Sequence, residues 1–219
     1  MTFEEIEKNE TIRAYISKAD ESLVALGYTE HSFAHVTHVA AMAGYLLETL
    51  GYDAHTVELA KIAGYLHDIG NLVNRIEHSQ SGAVMAFQIL TSLGFGAEDV
   101  ATIVTAIGNH DEGTAFPVNA VAAAIILADK TDVRRTRVRN RDKATFDIHD
   151  RVNYAVEKAS TTLDAAGKAV VLDLQLDTGM SPVIDYFEIF LERMLLWSVI
   201  VLDIAIWLIR LALHDPLIF

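Results

Sequence analysis

Histidine and aspartate recur through this chain at intervals that could assemble one metal site. His67 and Asp68, in GYLHDIGN, set an imidazole beside a carboxylate at the end of an apolar stretch. His35 stands upstream in HSFAHVTHVAAMAGYLL. His78 (NRIEHSQSGA), His110 (AIGNHDEG) and Asp129 (AAAIILADKTD) follow downstream. Imidazole nitrogens combined with carboxylate oxygens suit Fe, Mn, Zn, Co or Ni. Ions held this way bring the pKa of water toward neutrality and clamp phosphoryl oxygens.

Each residue alone has an ordinary alternative. A His-Asp dipeptide arises by chance, and a single histidine on a helix is a routine polar residue. His31, His35 and His38 share a helix face by i,i+4 and i,i+3 spacing, yet only one need be a ligand. His67 and Asp68 can act together because the backbone at a helix end can turn both side chains one way. An aspartate there can bridge two metals, one oxygen on each. Asp129 follows the apolar run Val121 to Ala128, where an unpaired carboxylate is costly to bury and a metal would resolve the cost. Its alternative is pairing with Lys130 or Arg134, although an acid is disfavoured at a helix C-terminus.

Cations crowd just after Asp129, from Lys130 through Arg134, Arg135, Arg137, Arg139 and Arg141 to Lys143. Arginine grips phosphate through a planar fork. Lys130 and Arg134, nearest Asp129, are therefore the candidate phosphate-binding residues. The competing reading is a solvated face or a subunit contact.

The elements that must position these groups read mainly as helices. With 219 residues and 52% hydrophobic content, the chain is long enough for a packed domain and too apolar for disorder. A formal net charge of -13 opposes sequence-independent binding to nucleic acid. Cysteine is absent, which removes disulfides and thiolate metal sites and fits a cytoplasmic protein. MTFEEIEKNE lacks the basic region and apolar core of a signal peptide. Periodicity predicts helices over Phe3 to Leu26, Ser32 to Leu50, Asp53 or Thr56 to about Asp68, Ser79 or Ser81 to about Gly94, Glu98 to Ile107 and Asn119 to Lys130. Beyond Lys143 the pattern changes. Val156 to Leu163 and Ala169 to Leu176 alternate around DAAGK and read as a hairpin. Ile184 onward returns to helical composition.

Met194 to Leu213 is a twenty-residue apolar run with only Asp203 and Arg210 charged. Its Leu, Ile and Val residues favour membrane insertion by about 5 kcal/mol, and the two charges oppose it by about as much. Charges within the run favour a buried segment or a subunit interface, hence no membrane span and a homo-oligomer through this segment.

The ordered motifs resemble the HD-domain superfamily of metal-dependent phosphohydrolases. The family runs H, then HD, then a distal D, with ligands on helices. His35 carries the family's Val39-Ala40 flank, His67-Asp68 is the HD pair, and LADKTD matches the last-ligand motif. His78 and His110 fall where two-metal relatives add histidines. The match covers about residues 31 to 141. Two departures stand out. Asp111 replaces a second histidine found in some relatives, and Asn71 replaces a lysine of HDxGK.

The resemblance implies a mainly α fold with an HD-type helical core, to which the alternating runs add a small C-terminal β-hairpin. Together these readings give a single domain over residues 1–219, with its core to about residue 143 and the hairpin and a helical segment over about 150–219. It implies one or two divalent ions (Fe, Mn, Co, Ni or Zn, with Mg also accepted). If His78 and His110 ligate, all six residues hold two ions. Otherwise His35, His67, Asp68 and Asp129 hold one. His67 and Asp68 would be central to catalysis. The expected activity is hydrolysis of a phosphate ester or anhydride of a nucleotide or related small phosphate, not of duplex nucleic acid. The alternatives are a di-iron oxygenase and a non-catalytic metal- or ligand-binding regulatory module.

Overall fold

The computed structural model describes residues 1–164, 169–190 and 208–214. Helix α1 (Phe3–Lys8) is capped by Thr2, whose side chain and that of Glu5 satisfy one another's amides. Asn9 ends it and caps α2 (Glu10–Ala25) by accepting from the amides of Thr11 and Ile12. The single helix expected from Phe3 to Leu26 is thus two. The Asn9 carboxamide takes the amides that a continuous helix would have bonded within itself.

Helix α3 (Phe33–Thr49) is capped by Ser32 and α4 (Ala54–Leu66) by Asp53. The chain leaves α2 and α3 through Gly27 and Gly51, at φ +80° and +82°. This left-handed conformation is one that glycine adopts without a Cβ penalty. His31 precedes the Ser32 cap and so lies outside the helix that carries His35. After α4 come the turn at His67-Asp68 and a 3-10 turn, Ile69–Leu72. Helix α5 (His78–Ser92) starts one residue before the expected serines, behind Glu77 at φ +55°. Helix α6 (Ala97–Gly108) and helix α7 (Ala120–Lys130) complete the series.

The chain divides into two compact units, Met1–Asp129 and Lys130–Phe219. Helices α1 to α7 contribute to one buried apolar cluster. Val121 to Ala128 are all buried, so α7 is enclosed on every side. A helix of that kind delivers Asp129 from within the core.

Two close approaches set the geometry around His67. A Cβ on Gly64 would lie 2.9 Å from Ala40 Cα and 3.1 Å from the Val39 carbonyl carbon, so α4 packs backbone against backbone on α3. A Cβ on Gly70 would lie 1.9 Å from the His78 carbonyl oxygen and 2.5 Å from the Gly82 nitrogen. The 3-10 turn is therefore pressed onto the first turn of α5.

In the second unit, α8 (Ile148–Ala155) runs directly into strand β1 (Val156–Asp164), which pairs antiparallel with β2 (Ala169–Leu176). This is the expected hairpin. Its connecting residues 165–168 lie outside the described residues. A helix covers 183–190. Strand β3 (Leu208–His214) then adds parallel to β2, giving the order β1-β2-β3. The helical reading of the C-terminus is corrected there. A mostly apolar run suits a strand in a parallel pair as well as a helix, and periodicity does not separate them. The rest of the Met194 to Leu213 run, residues 194–207, lies outside the described residues. Among the described residues no helix is long and apolar enough to cross a membrane.

Candidate metal centre

The six ordered residues meet because helix ends meet. The start of α3 lies against the end of α4, which brings His35 to His67 with their Nε2 atoms 3.3 Å apart. The start of α5 lies against the end of α6, where Gln80 Nε2 donates to the Gly108 carbonyl at 2.7 Å. That contact brings His78 to His110, Nε2 to Nε2, at 3.2 Å. The His67 and His110 rings join the two pairs, with centroids 4.9 Å apart. His67, Asp68 and His110 sit just beyond helix ends, in keeping with the helix-end reading of His67-Asp68 and the expected helix end at Ile107, rather than within helices as the family pattern implies. The four histidines are at most 1% exposed, Asp68 5% and Asp129 9%.

Asp68 lies between the pairs and divides its oxygens between them. Oδ2 is 3.4 Å from His67 Nε2 and 3.5 Å from His35 Nε2. Oδ1 is 3.4 Å from His78 Nε2 and 3.9 Å from His110 Nε2. Asp129 Oδ1 joins the first set, 3.3 Å from His35 Nε2 and 3.9 Å from His67 Nε2.

The backbone fixes which ring nitrogen faces inward. Nδ1 lies 2.8 Å from the Gly64 carbonyl in His67, 3.1 Å from the Arg75 carbonyl in His78, and 2.7 Å from the Ile107 carbonyl in His110. A carbonyl only accepts, so each Nδ1 carries the hydrogen and each Nε2 is left for the site.

Charge agrees with this orientation. Burial pushes the Asp68 carboxyl up, but His67, His31 and His35 hold it well below the usual carboxylate range. Burial opposes a charge on His67, yet Asp68 and Asp129 outweigh it and raise its pKa. His78 is lowered, first by burial and further by Arg75, against the pull of Asp68 and Asp111. Asp68 is anionic and His78 neutral, the forms a divalent ion requires.

Whether these residues fit an ion is answered by Asp68 Oδ2, which is buried with no hydrogen-bond partner. An acceptor left so carries an uncompensated desolvation cost. A cation among Oδ2, His35, His67 and Asp129 would remove it. His35, His67 and Asp129 offer donor atoms within 4.8 Å of one another, as do His67, Asp68 and His110. The donor set fits Fe, Mn, Co, Ni or Zn.

Three neighbours surround the six: His31, weighed in the sequence only as a helix-face neighbour, Asn71, noted there only as a departure from HDxGK, and Arg75, which the sequence reading missed. His31 Nε2 reaches to 3.9 Å from Asp68 Oδ2. Asn71 donates to Asp68 Oδ1 at 3.0 Å and to its carbonyl at 2.9 Å. Arg75 places Nη1 3.3 Å from His78 Nε2 and 4.0 Å from Asp68 Oδ1. The spacing from Asn71 through Arg75 to His78 was visible, but a loop residue shows no periodicity to flag it. The expected cations lie in the second unit. Lys130 is buried, and Arg134 forks Asp132 at 2.6 and 2.9 Å.

Residues 32–156 match the family model described as HD domain. An uncharacterized protein of Methanocaldococcus jannaschii is 28% identical over 181 residues, 72% of this chain and 70% of that protein. Ribonuclease Y of Staphylococcus epidermidis is 28% identical over 145 residues, and that of Bacillus subtilis 27%. Each match covers 66% of this chain but 26% of the ribonuclease, so this chain spans about a quarter of those relatives. A crystal structure of a predicted HD superfamily hydrolase from an uncultured Thermotogales bacterium aligns at a TM-score of 0.46 and 23% identity. It covers 60% of this chain and 73% of that one.

Proposed function

This chain belongs to the HD domain family, and from that premise we propose a metal-dependent phosphohydrolase acting on a phosphate ester or anhydride of a nucleotide or related small phosphate. One observation carries the reading. The two oxygens of Asp68 face two separate imidazole pairs. This arrangement would let Asp68 contribute to both halves of a two-ion site. His35, His67, Asp129 and Asp68 Oδ2 would hold one ion, and His78, His110 and Asp68 Oδ1 the other.

Bound divalent ions supply Lewis acidity toward phosphoryl oxygens and lower the pKa of water. The chain's own residues do the rest. Asp68 stays ionised at the centre and keeps the two halves in register. The carbonyls of Gly64, Arg75 and Ile107 hold three imidazoles in one tautomer and one rotation. The buried walls exclude bulk water and so strengthen every charge interaction inside.

A second reading, cleavage of a phosphodiester in RNA, has support in the ribonuclease Y matches. The charge of -13 weighs against a long polyanionic partner and favours the small substrate.

The test is a screen of protein loaded in turn with Mn, Fe, Co, Ni and Mg, with metal per chain measured. Substrates would be nucleoside mono-, di- and triphosphates, cyclic and linear dinucleotides, and short oligoribonucleotides. Hydrolysis of a nucleotide or other small phosphate, followed by chromatography of substrate and products and abolished in Asp68→Asn, is the expected result. Turnover of oligoribonucleotides alone would favour the second reading. Oxygen uptake by the iron form, with no substrate hydrolysed, would replace hydrolysis by di-iron oxygenase chemistry.

A further inference from the structure

Arg75 is a charged side chain at this site that is committed neither to the core nor to bulk solvent. Its side chain is 28% exposed. Nη1 reaches inward to His78 Nε2 at 3.3 Å, to Asn71 Oδ1 at 3.4 Å and to Asp68 Oδ1 at 4.0 Å. On the outer side its Cζ lies 5.6 Å from the centroid of the Tyr28 ring. The guanidinium thus stands at the rim with one nitrogen, Nη1, turned toward the carboxylate that divides the two halves.

Two features show that the loop is built to hold this position. The Arg75 carbonyl accepts from His78 Nδ1, so the same residue orients an imidazole through its backbone. Two residues on, Glu77 sits at φ +55°, a conformation that costs a side-chain-bearing residue roughly 1–2 kcal/mol. The chain accepts that strain where the loop turns into α5.

The partners of Arg75 are weak ones for a guanidinium. A neutral imidazole and a carboxamide oxygen leave most of its five donors uncommitted to any anion, and Asp68 is at the edge of ion-pair range. An ion on His78 would use the Nε2 lone pair and repel Nη1, leaving the fork to a different acceptor at the same rim. A phosphoryl group, like a carboxylate, presents two oxygens that a planar fork can grip, and it is the group that the phosphohydrolase reading brings to this rim.

We propose that Arg75 is the phosphate-binding residue of this site, contacting the phosphoryl group at the rim of the His78–His110 half. This rests on the phosphohydrolase reading. Its contact strengthens as charge accumulates on phosphoryl oxygen, so it acts on kcat as well as on KM.

The test compares wild type, Arg75→Ala and Arg75→Lys as full-length, metal-loaded protein. Metal per chain is measured, then the affinity for inorganic phosphate by calorimetry, then kcat and KM on one accepted substrate. The backbone contact to His78 survives both substitutions, so metal content should stay at the wild-type value. Phosphate affinity and kcat/KM should each fall ten- to hundredfold in Arg75→Ala. Arg75→Lys should recover part of this, since it keeps the charge and loses the fork. Phosphate affinity within twofold of wild type in Arg75→Ala overturns the proposal. So does a reduced metal count, which would make Arg75 a support of the ion site. If no substrate turns over in wild type but phosphate binding still depends on Arg75, the hydrolase reading fails and this assignment stands.

Discussion

His78 and His110 present their Nε2 atoms to one another at 3.2 Å while both Nδ1 atoms are bonded to backbone carbonyls. Two lone pairs facing at that distance repel unless a proton or a cation lies between them. Burial and Arg75 depress the pKa of His78, which disfavours the proton. A cation between them would remove that repulsion, so metal should stabilise the folded chain. At free metal one hundred times Kd the gain is about 2.7 kcal/mol. For a chain of this size that raises Tm by roughly 5–11 °C. Thermal melts with and without chelator, followed by reloading, check it. Coincident melts would count against a site of this strength.

Nuclearity follows from the division of Asp68. His78→Ala or His110→Ala removes a donor from one half only, so metal per chain should fall from about two toward one. Asp68→Asn weakens both halves and should bring it toward zero. Elemental analysis of the three purified variants, with circular dichroism to confirm folding, separates these outcomes. If both histidine variants keep the wild-type count, the one-ion site of His35, His67, Asp68 and Asp129 is left standing.

The α3–α4 contact at Gly64 should control the His35–His67 spacing. Alanine there puts a methyl 2.9 Å from Ala40 Cα, where only backbone could yield. Overpacking of this kind costs about 1–3 kcal/mol. Gly64→Ala should lower Tm and loosen the ion held by His35 and His67. Gly44→Ala on α3 is the comparison, because its methyl would meet the flexible Lys61 side chain instead. Equal melting temperatures for the two variants would contradict the account.

Much of this core was legible because its signals are local and periodic. Ser32, Asp53 and Asn119 cap helices by side-chain chemistry that a sequence displays. The apolar surround of α7 announced a buried helix ending in a carboxylate. Asn9 was missed because an asparagine within an amphipathic pattern can be surface or cap, and only its hydrogen bonds decide. His31 sits on no helix face, because the Ser32 cap starts α3 after it. Arg75 and Asn71 lie in a turn whose course is fixed by the Gly70–Gly82 contact, a tertiary fact with no periodic trace. The strand Leu208–His214 was hidden for another reason, since a mostly apolar run fits two structures equally well.

The last prediction concerns Arg134, which the sequence suggested as a phosphate clamp. Its Nε and Nη2 bond the two Asp132 oxygens at 2.6 and 2.9 Å. The Asp132 side chain is fully buried, while that of Arg134 is 31% exposed. Arg137 adds a bond to the Asp132 carbonyl at 2.7 Å but reaches the carboxylate only at 3.9 Å. Removing Arg134 therefore takes away a cation that grips both oxygens of a buried carboxylate. Losing one partner of a fully buried pair costs about 3–5 kcal/mol. The exposed guanidinium reduces that, and about 1–3 kcal/mol is the expected loss for Arg134→Ala. Arg134→Lys should recover less than half, because a single ammonium cannot serve both oxygens. Asp132→Asn, which removes the charge that needs the fork, should lower the cost of a second change at Arg134. A double-mutant cycle of Asp132→Asn with Arg134→Ala, read by urea denaturation, measures that coupling. A structural fork gives a coupling of at least about 1 kcal/mol and leaves kcat/KM of Arg134→Ala within about twofold of wild type. A phosphate clamp gives the opposite pattern, with little coupling and a tenfold or larger loss in kcat/KM at unchanged metal content.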